Sequence, residues 1–238
     1  MNGADTEFLA ARARAIKPSP SMAAKTRVDQ LRAQGRDIID FTVGEPDLPT
    51  PAHIVQAGID TLNSGDIRYT ASAGSRPLLE AARAKFLHEN GLDYALDELI
   101  VGVGAKQLLY TALAATVQAG DEVIIPAPYW VSYPDMVLVN DGTPVVVACP
   151  EADGFKLTPE ALERAITPPT KWVVLNTPSN PTGAMYSAAE LRALADVLAR
   201  HPQVWLMTDE IYEHLAYGDA RHASPAAGRR ELARATVT

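Results

Sequence analysis

Apolar residues recur along this chain with two periods that alternate from one segment to the next. The stretches "SMAAKTRVDQLRAQG", "AHIVQAGIDTLNSG", "RPLLEAARAKFLHENG", "AKQLLYTALAATVQAG" and "SAAELRALADVLARHP" carry apolar side chains three or four apart, the spacing that lines one face of an α-helix. Gly35 and Gly65 stand where the first two end, at the position that favours a left-handed residue. Between and beyond them, "ELIVGVG", "DEVIIP", "PVVVACP", "KWVVLN" and "QVWLMTD" are short and lack polar alternation. Strands of that kind are buried on both faces. Their alternation with helices predicts an α/β fold with three layers, a mostly parallel sheet covered by helices on each side. The proline-rich "KPSPS" and "GEPDLPTP" read as loops joining an N-terminal arm to this main layer, with a boundary near residue 50.

Composition narrows the function classes. A chain of 238 residues that is 47% hydrophobic can bury a sizeable core. Its net charge of -8, with no block of like charge, offers no basic face, so nucleic acid is not an expected partner. The single cysteine, Cys149, makes no internal disulfide or thiolate cluster and reads as a small packed hydrophobe. Histidines 53, 88, 201, 214 and 222 are scattered without paired spacing, and no metal site is expected. The N-terminal residues hold no apolar core of a signal peptide, and no apolar run is long enough to span a bilayer. A soluble, cytoplasmic protein without a membrane partner is the expectation.

In open parallel sheets, ligands bind beyond the carboxyl ends of the strands. After "ELIVGVG" the chain enters a helix through Gly104, Ala105 and Lys106, whose backbone amides form either a phosphate cradle or a plain tight turn. After "DEVIIP", the segment "APYWVSYP" sets Tyr129, Trp130 and Tyr133 on a loop at the same edge, as ligand contacts or as a cap on the core. After "KWVVLN", Asn180 lies between prolines in "TPSNPTG", and its amide serves a ligand or a turn. After "QVWLMT" comes Asp209. A carboxylate leaving a buried strand must be hydrogen-bonded, paired with a cation or protonated.

The segments "APYWVSYP", "NTPSNPTG" and "TDEIY", with "KPSPSMAAK", "FTVGEPD" and "YTASAGSRPLLEA" before them in the same order, resemble the class I aminotransferases, fold type I pyridoxal-phosphate enzymes of the aspartate aminotransferase kind. The resemblance covers nearly the whole chain. It implies an N-terminal arm with part of a small domain over residues 1–48 and a large cofactor-binding domain over 49–238. It implies pyridoxal 5'-phosphate as cofactor, and amino transfer between an L-amino acid, aspartate or a related acid, and a 2-oxo acid. Asp209 and Tyr212 are the implied catalytic groups: Asp209 pairs with the ring nitrogen, and Tyr212 reaches the ring's phenolic oxygen together with Asn180. Trp130 stacks on the ring, and the Gly104, Ala105 and Lys106 turn holds the phosphate. Tyr69 matches a tyrosine that reaches the phosphate of a neighbouring subunit, which implies a homodimer. Gly44, Trp130 and Asn180 are the implied substrate contacts, and Lys106 serves either a dicarboxylic substrate or the solvent. Glu210 is expected to be structural.

The departure from the family pattern is a lysine. In these enzymes it follows a "TVT"-like strand start and acts as nucleophile and general base. Lys17, Lys25, Lys85, Lys106, Lys156 and Lys171 do not match its place. The expectation is an incomplete chain that does not complete the reaction alone. The competing reading is a non-catalytic fragment or decayed relative acting as a binding protein. A metal-binding Asp-Glu pair of the P-loop kind would need G-x-x-x-x-G-K-[ST], which "VGVGAKQL" does not supply.

Overall fold

The computed structural model describes residues 8–45, 47–228 and 235–238. Residues 1–7 of the expected arm and Pro46 of the "GEPD" loop lie outside the described residues. The chain forms two compact units, residues 18–75 and residues 1–17 with 76–238.

Among the described residues, the larger unit is built on five strands, β1 (Glu122–Ala127), β2 (Thr143–Ala148), β3 (Thr170–Asn176), β4 (Trp205–Asp209) and β5 (Thr236–Val237). They are all parallel, in the order β2-β1-β3-β4-β5. Its helices are α1 (Ala11–Ala15), α4 (Arg76–Lys85), α5 (Ala105–Thr116), α6 (Ser132–Leu138), α7 (Pro159–Ala165) and α8 (Ala188–Leu198). The smaller unit holds α2 (Pro20–Ala33) and α3 (Ala52–Ser64).

The period of two along each strand sorts the core into two layers. Ile124, Val173, Leu175 and Leu206 face one side, where Leu162 of α7 and Leu191, Leu194 and Leu198 of α8 cover them. Val123, Ile125, Trp172, Val174 and Met207 face the other, against Leu109 and Leu113 of α5 and Met136 and Val137 of α6. The expected three-layer α/β/α arrangement is therefore present. The Trp172 indole also donates to Thr116 Oγ1 at 2.9 Å, so this large side chain is buried with its polar atom satisfied.

Local chemistry sets the ends of the elements. Ser187 accepts from the Glu190 amide while the Glu190 carboxylate accepts from the Ser187 amide, a reciprocal cap on α8. In the smaller unit, Gly65 closes α3 in the left-handed conformation at φ 69°, as its place in the sequence predicts. The helix expected over 76–91 is α-helical to Lys85 and continues as a π turn, Phe86–Asn90.

One expected strand is absent. Residues 98–104 form no strand in the structure; Glu98 ends a short 3-10 turn, and Ile100 and Val103 are exposed. The backbone there is tied locally instead, with the Gly104 amide on the Gly102 carbonyl and the Val103 amide on the Gln107 side chain. Among the described residues no helix is long and apolar enough to cross a membrane.

Candidate functional site

Strand β1 turns to β2 on one side and the chain returns to β3 on the other, so the carboxyl ends of β1 and β3 flank the point where the strand order reverses. Both following segments carry residues singled out by sequence. Beyond β1 the chain passes Trp130 and enters α6, which makes Tyr133 helical and almost fully buried rather than a loop residue. Beyond β3 it runs through Thr177 to Asn180, and three X-Pro bonds at this edge, Ala127-Pro128, Thr177-Pro178 and Asn180-Pro181, are cis.

Asp209 ends β4 and is 8% exposed. Pairing places it beside Asn176, the last residue of β3. The Asn176 amide nitrogen donates to the Asp209 carbonyl at 2.8 Å, and its amide oxygen accepts from the Asn180 backbone at 2.7 Å. One side chain thus fixes both the strand end and the loop that carries Asn180. The Asp209 carboxylate accepts from the Tyr133 hydroxyl at 2.7 Å on Oδ2 and from the Ile211 amide at 3.3 Å on Oδ1. Among the described residues no lysine, arginine or histidine forms an ion pair with it. Burial, then the adjacent Asp209 charge and its hydrogen bond, push the Tyr133 phenol far above its ordinary pKa, and the proximity of Tyr212 adds to the effect. Tyr133 is therefore a fixed donor, and Asp209 keeps unused acceptor capacity in a place that disfavours an unpaired charge.

A cavity of about 440 Å³ opens at this carboxylate. Asp209, Thr208 and Glu210 line it from β4 and the residue after it, Ala105 and Leu108 from α5, and Phe86 from the π turn. Gly104 precedes α5 with φ 77° and ψ 159°, a conformation that strains any other residue although a Cβ would meet nothing within 4 Å. Because the cap has no side chain, the Ala105 and Lys106 amides open the helix uncovered, at its positive end. The Lys106 ammonium lies 4.8 Å from the centre of the Trp130 ring, and Trp130 meets Tyr133 edge to face at 5.3 Å. Asn180 lines a separate cavity of about 20 Å³ with Tyr133, Asn176 and Tyr129. Tyr212 is half-buried in the turn after β4. Gly44 and Tyr69 belong to the smaller unit, where Gly44 has open space around it and the Tyr69 side chain is fully exposed.

The profile of the family described as aminotransferase class I and II matches residues 36–237. The chain belongs to that family. Among curated relatives it is 49% identical over 231 residues to a probable aspartate/prephenate aminotransferase of Rhizobium leguminosarum bv. phaseoli, covering 97% of this chain and 58% of the relative. It is 54% identical over 211 residues to the aspartate/prephenate aminotransferase of Cereibacter sphaeroides, covering 89% and 53%. Among solved structures, the aspartate aminotransferase from Rhizobium meliloti superposes with a TM-score of 0.93 at 47% identity, over 96% of this chain and 57% of that one. The Thermus thermophilus aspartate aminotransferase with maleate gives 0.90 at 43%, over 99% and 59%. This class I and II aminotransferase chain thus spans a little over half the length of the relatives it matches, and it shares their α/β fold.

For two residues of the site the sequence does not show the task. In the sequence Tyr133 is one of three aromatics at this edge, and what separates it is its place on the first turn of α6, with Trp130, just before that helix, edge to face against it. By sequence Asn176 is simply the end of a strand. Only its register opposite Asp209 shows what its side chain does.

Proposed function

We propose that this chain is the cofactor-binding part of a pyridoxal 5'-phosphate-dependent aminotransferase that moves an amino group between an L-amino acid, aspartate or a related acid, and a 2-oxo acid. The observation that carries the reading is Asp209, a buried carboxylate at the sheet edge with only neutral donors on its two oxygens, no cation partner among the described residues, and a 440 Å³ cavity beside it. A cationic ring nitrogen fits that environment, and the uncovered amides that open α5, with Ala105 on the same cavity and Lys106 next to it in the chain, suit a phosphate. When bound, pyridoxal phosphate supplies an electron sink for the substrate α-carbon.

The chain's own residues then have distinct tasks. Asp209 holds the proton on the ring nitrogen, and Tyr133 keeps that carboxylate aimed. Tyr212 and Asn180 hydrogen-bond the phenolic oxygen, Trp130 fixes the plane of the ring, and the Gly104, Ala105 and Lys106 turn binds the phosphate. Gly44 lies against the substrate carboxylate. Tyr69 serves the phosphate of a second subunit, so the whole protein is a homodimer. On this reading residues 1–48 are the arm and part of a small domain, and 49–238 form the large domain. The names of the relatives favour aspartate as a donor and prephenate among the acceptors.

Two measurements test this. The native gene product should transfer the amino group of aspartate to 2-oxoglutarate or prephenate, and absence of transfer to every 2-oxo acid tried would remove the activity. Titration of the 238-residue chain with pyridoxamine 5'-phosphate, followed by absorbance, should saturate, and Asp209→Ala should weaken binding by one to two orders of magnitude, roughly the loss of a buried charge pair. Equal affinity in that variant would take Asp209 out of its role.

A further inference from the structure

Tyr212 sits between two carboxylates three residues apart, and each is tied to a different part of the fold. Glu210 accepts from Thr208 Oγ1 at 2.7 Å and Ser224 Oγ at 3.0 Å, and its other oxygen lies 2.6 Å from His222 Nε2. The side chains of Glu210 and His222 are only 7% and 10% exposed. Glu213 accepts from the Lys85 ammonium and, at 2.7 Å, from the Asn90 amide, while Lys85 also donates to Asn90 Oδ1 at 2.7 Å. Lys85 ends α4 and Asn90 ends the π turn that follows it. The turn itself is closed by the Glu213 amide on the Glu210 carbonyl at 2.9 Å and the Leu215 amide on the Tyr212 carbonyl at 2.8 Å.

Atoms of Glu210, Glu213 and His222 lie within 4.8 Å of one another, an arrangement that could hold a metal ion. The hydrogen bonds decide against it. All four carboxylate oxygens already accept from protein donors, and the Lys85 ammonium supplies the positive charge that a metal would bring. The cluster is a clamp on the turn. Burial pushes the Glu213 carboxyl up, but the bonds from Lys85 and Asn90 outweigh it and hold the group below its ordinary range.

We infer that Glu210 and Glu213 are positioning residues that set the Tyr212 phenol at a fixed offset from the Asp209 carboxylate, one fastening the start of the turn to residues 222–224 and the other fastening its end to α4 and the π turn. The inference rests on the reading of Asp209 and Tyr212 as partners of one cofactor ring. Asp209 is held by the sheet, whereas Tyr212 lies on four residues of turn, so without the two tethers the distance between the groups would vary with the motion of an exposed loop.

The test uses the 238-residue chain with 13Cζ-labelled tyrosine and no cofactor. Glu213→Gln and Lys85→Met break one tether from opposite ends. Each should move and broaden the Tyr212 resonance, the double variant should add nothing further, and Lys85→Arg should restore the signal. Tyr186, which binds the Leu157 amide on the other face of the sheet, should not change. A Tyr212 resonance untouched by both single variants overturns the inference. So does a change that spreads equally to Tyr186, since that marks a general loss of structure. Should Glu210→Gln fail to fold, Ser224→Ala loosens the same carboxylate and should give the same Tyr212 signature. In titration with pyridoxamine 5'-phosphate, Glu213→Gln should bind about tenfold more weakly. If the parent chain takes up no pyridoxamine phosphate while the tyrosine spectra behave as described, the cofactor reading fails and the clamp stands.

Discussion

Asp209 and Tyr133 show how one buried pair sets measurable behaviour. The phenol is the only side-chain donor on the carboxylate among the described residues, so Tyr133→Phe leaves Oδ2 buried and without that partner. The expected loss is about 1–3 kcal/mol in urea unfolding. The pair also predicts a pH dependence. A phenol whose folded pKa lies above the unfolded value of about 10 contributes fully below that pH, and the contribution is lost as pH rises through the folded value. Parent stability should therefore fall more steeply above pH ~10 than that of Tyr133→Phe, and identical alkaline slopes would contradict the assignment. Glu213 has the opposite sign. Its folded pKa is depressed, so its contribution is present above the ordinary carboxylate range and disappears as pH falls through the lowered value; Glu213→Gln should flatten the acid limb. The type of residue needed at position 209 could be argued from sequence, but its donor lies 76 residues away along the chain.

Among the elements, periodicity found most of the helices because their apolar faces are local patterns. It misses α1, α6 and α7, of five, seven and seven residues, too short for a period of 3.6 to declare itself. It placed a strand over 98–104 because that segment is apolar. Hydrophobicity states that a segment can be buried, whereas a strand also needs a neighbour in register to satisfy its amides. Caps were more legible, since they act within one turn. Ser187→Ala should remove the reciprocal cap of α8 and cost about 1 kcal/mol, read as a lower urea midpoint with an unchanged slope. Gly104→Ala should cost about 1–3 kcal/mol through its backbone alone, since space for a methyl group is open; a neutral substitution would mean that the turn relaxes at little cost.

For the whole molecule, the proposed dimer is open to direct measurement. Sedimentation equilibrium of the native gene product should give twice the monomer mass, and Tyr69→Ala should weaken cofactor retention without changing that mass. A monomer that retains full cofactor affinity would free Tyr69 of its role. The sequence by itself determined the α/β class, the family, and the residue types at the ends of β1, β3 and β4, because burial pattern and turn chemistry are carried by neighbours in the chain. Only the tertiary structure decided that Asn176 faces Asp209, that Tyr133 supplies its hydrogen bond, and that Lys85 and His222 hold the turn around Tyr212 from two sides. Those contacts join residues 12 to 128 positions apart, and strand register and helix docking, not local preference, choose such partners.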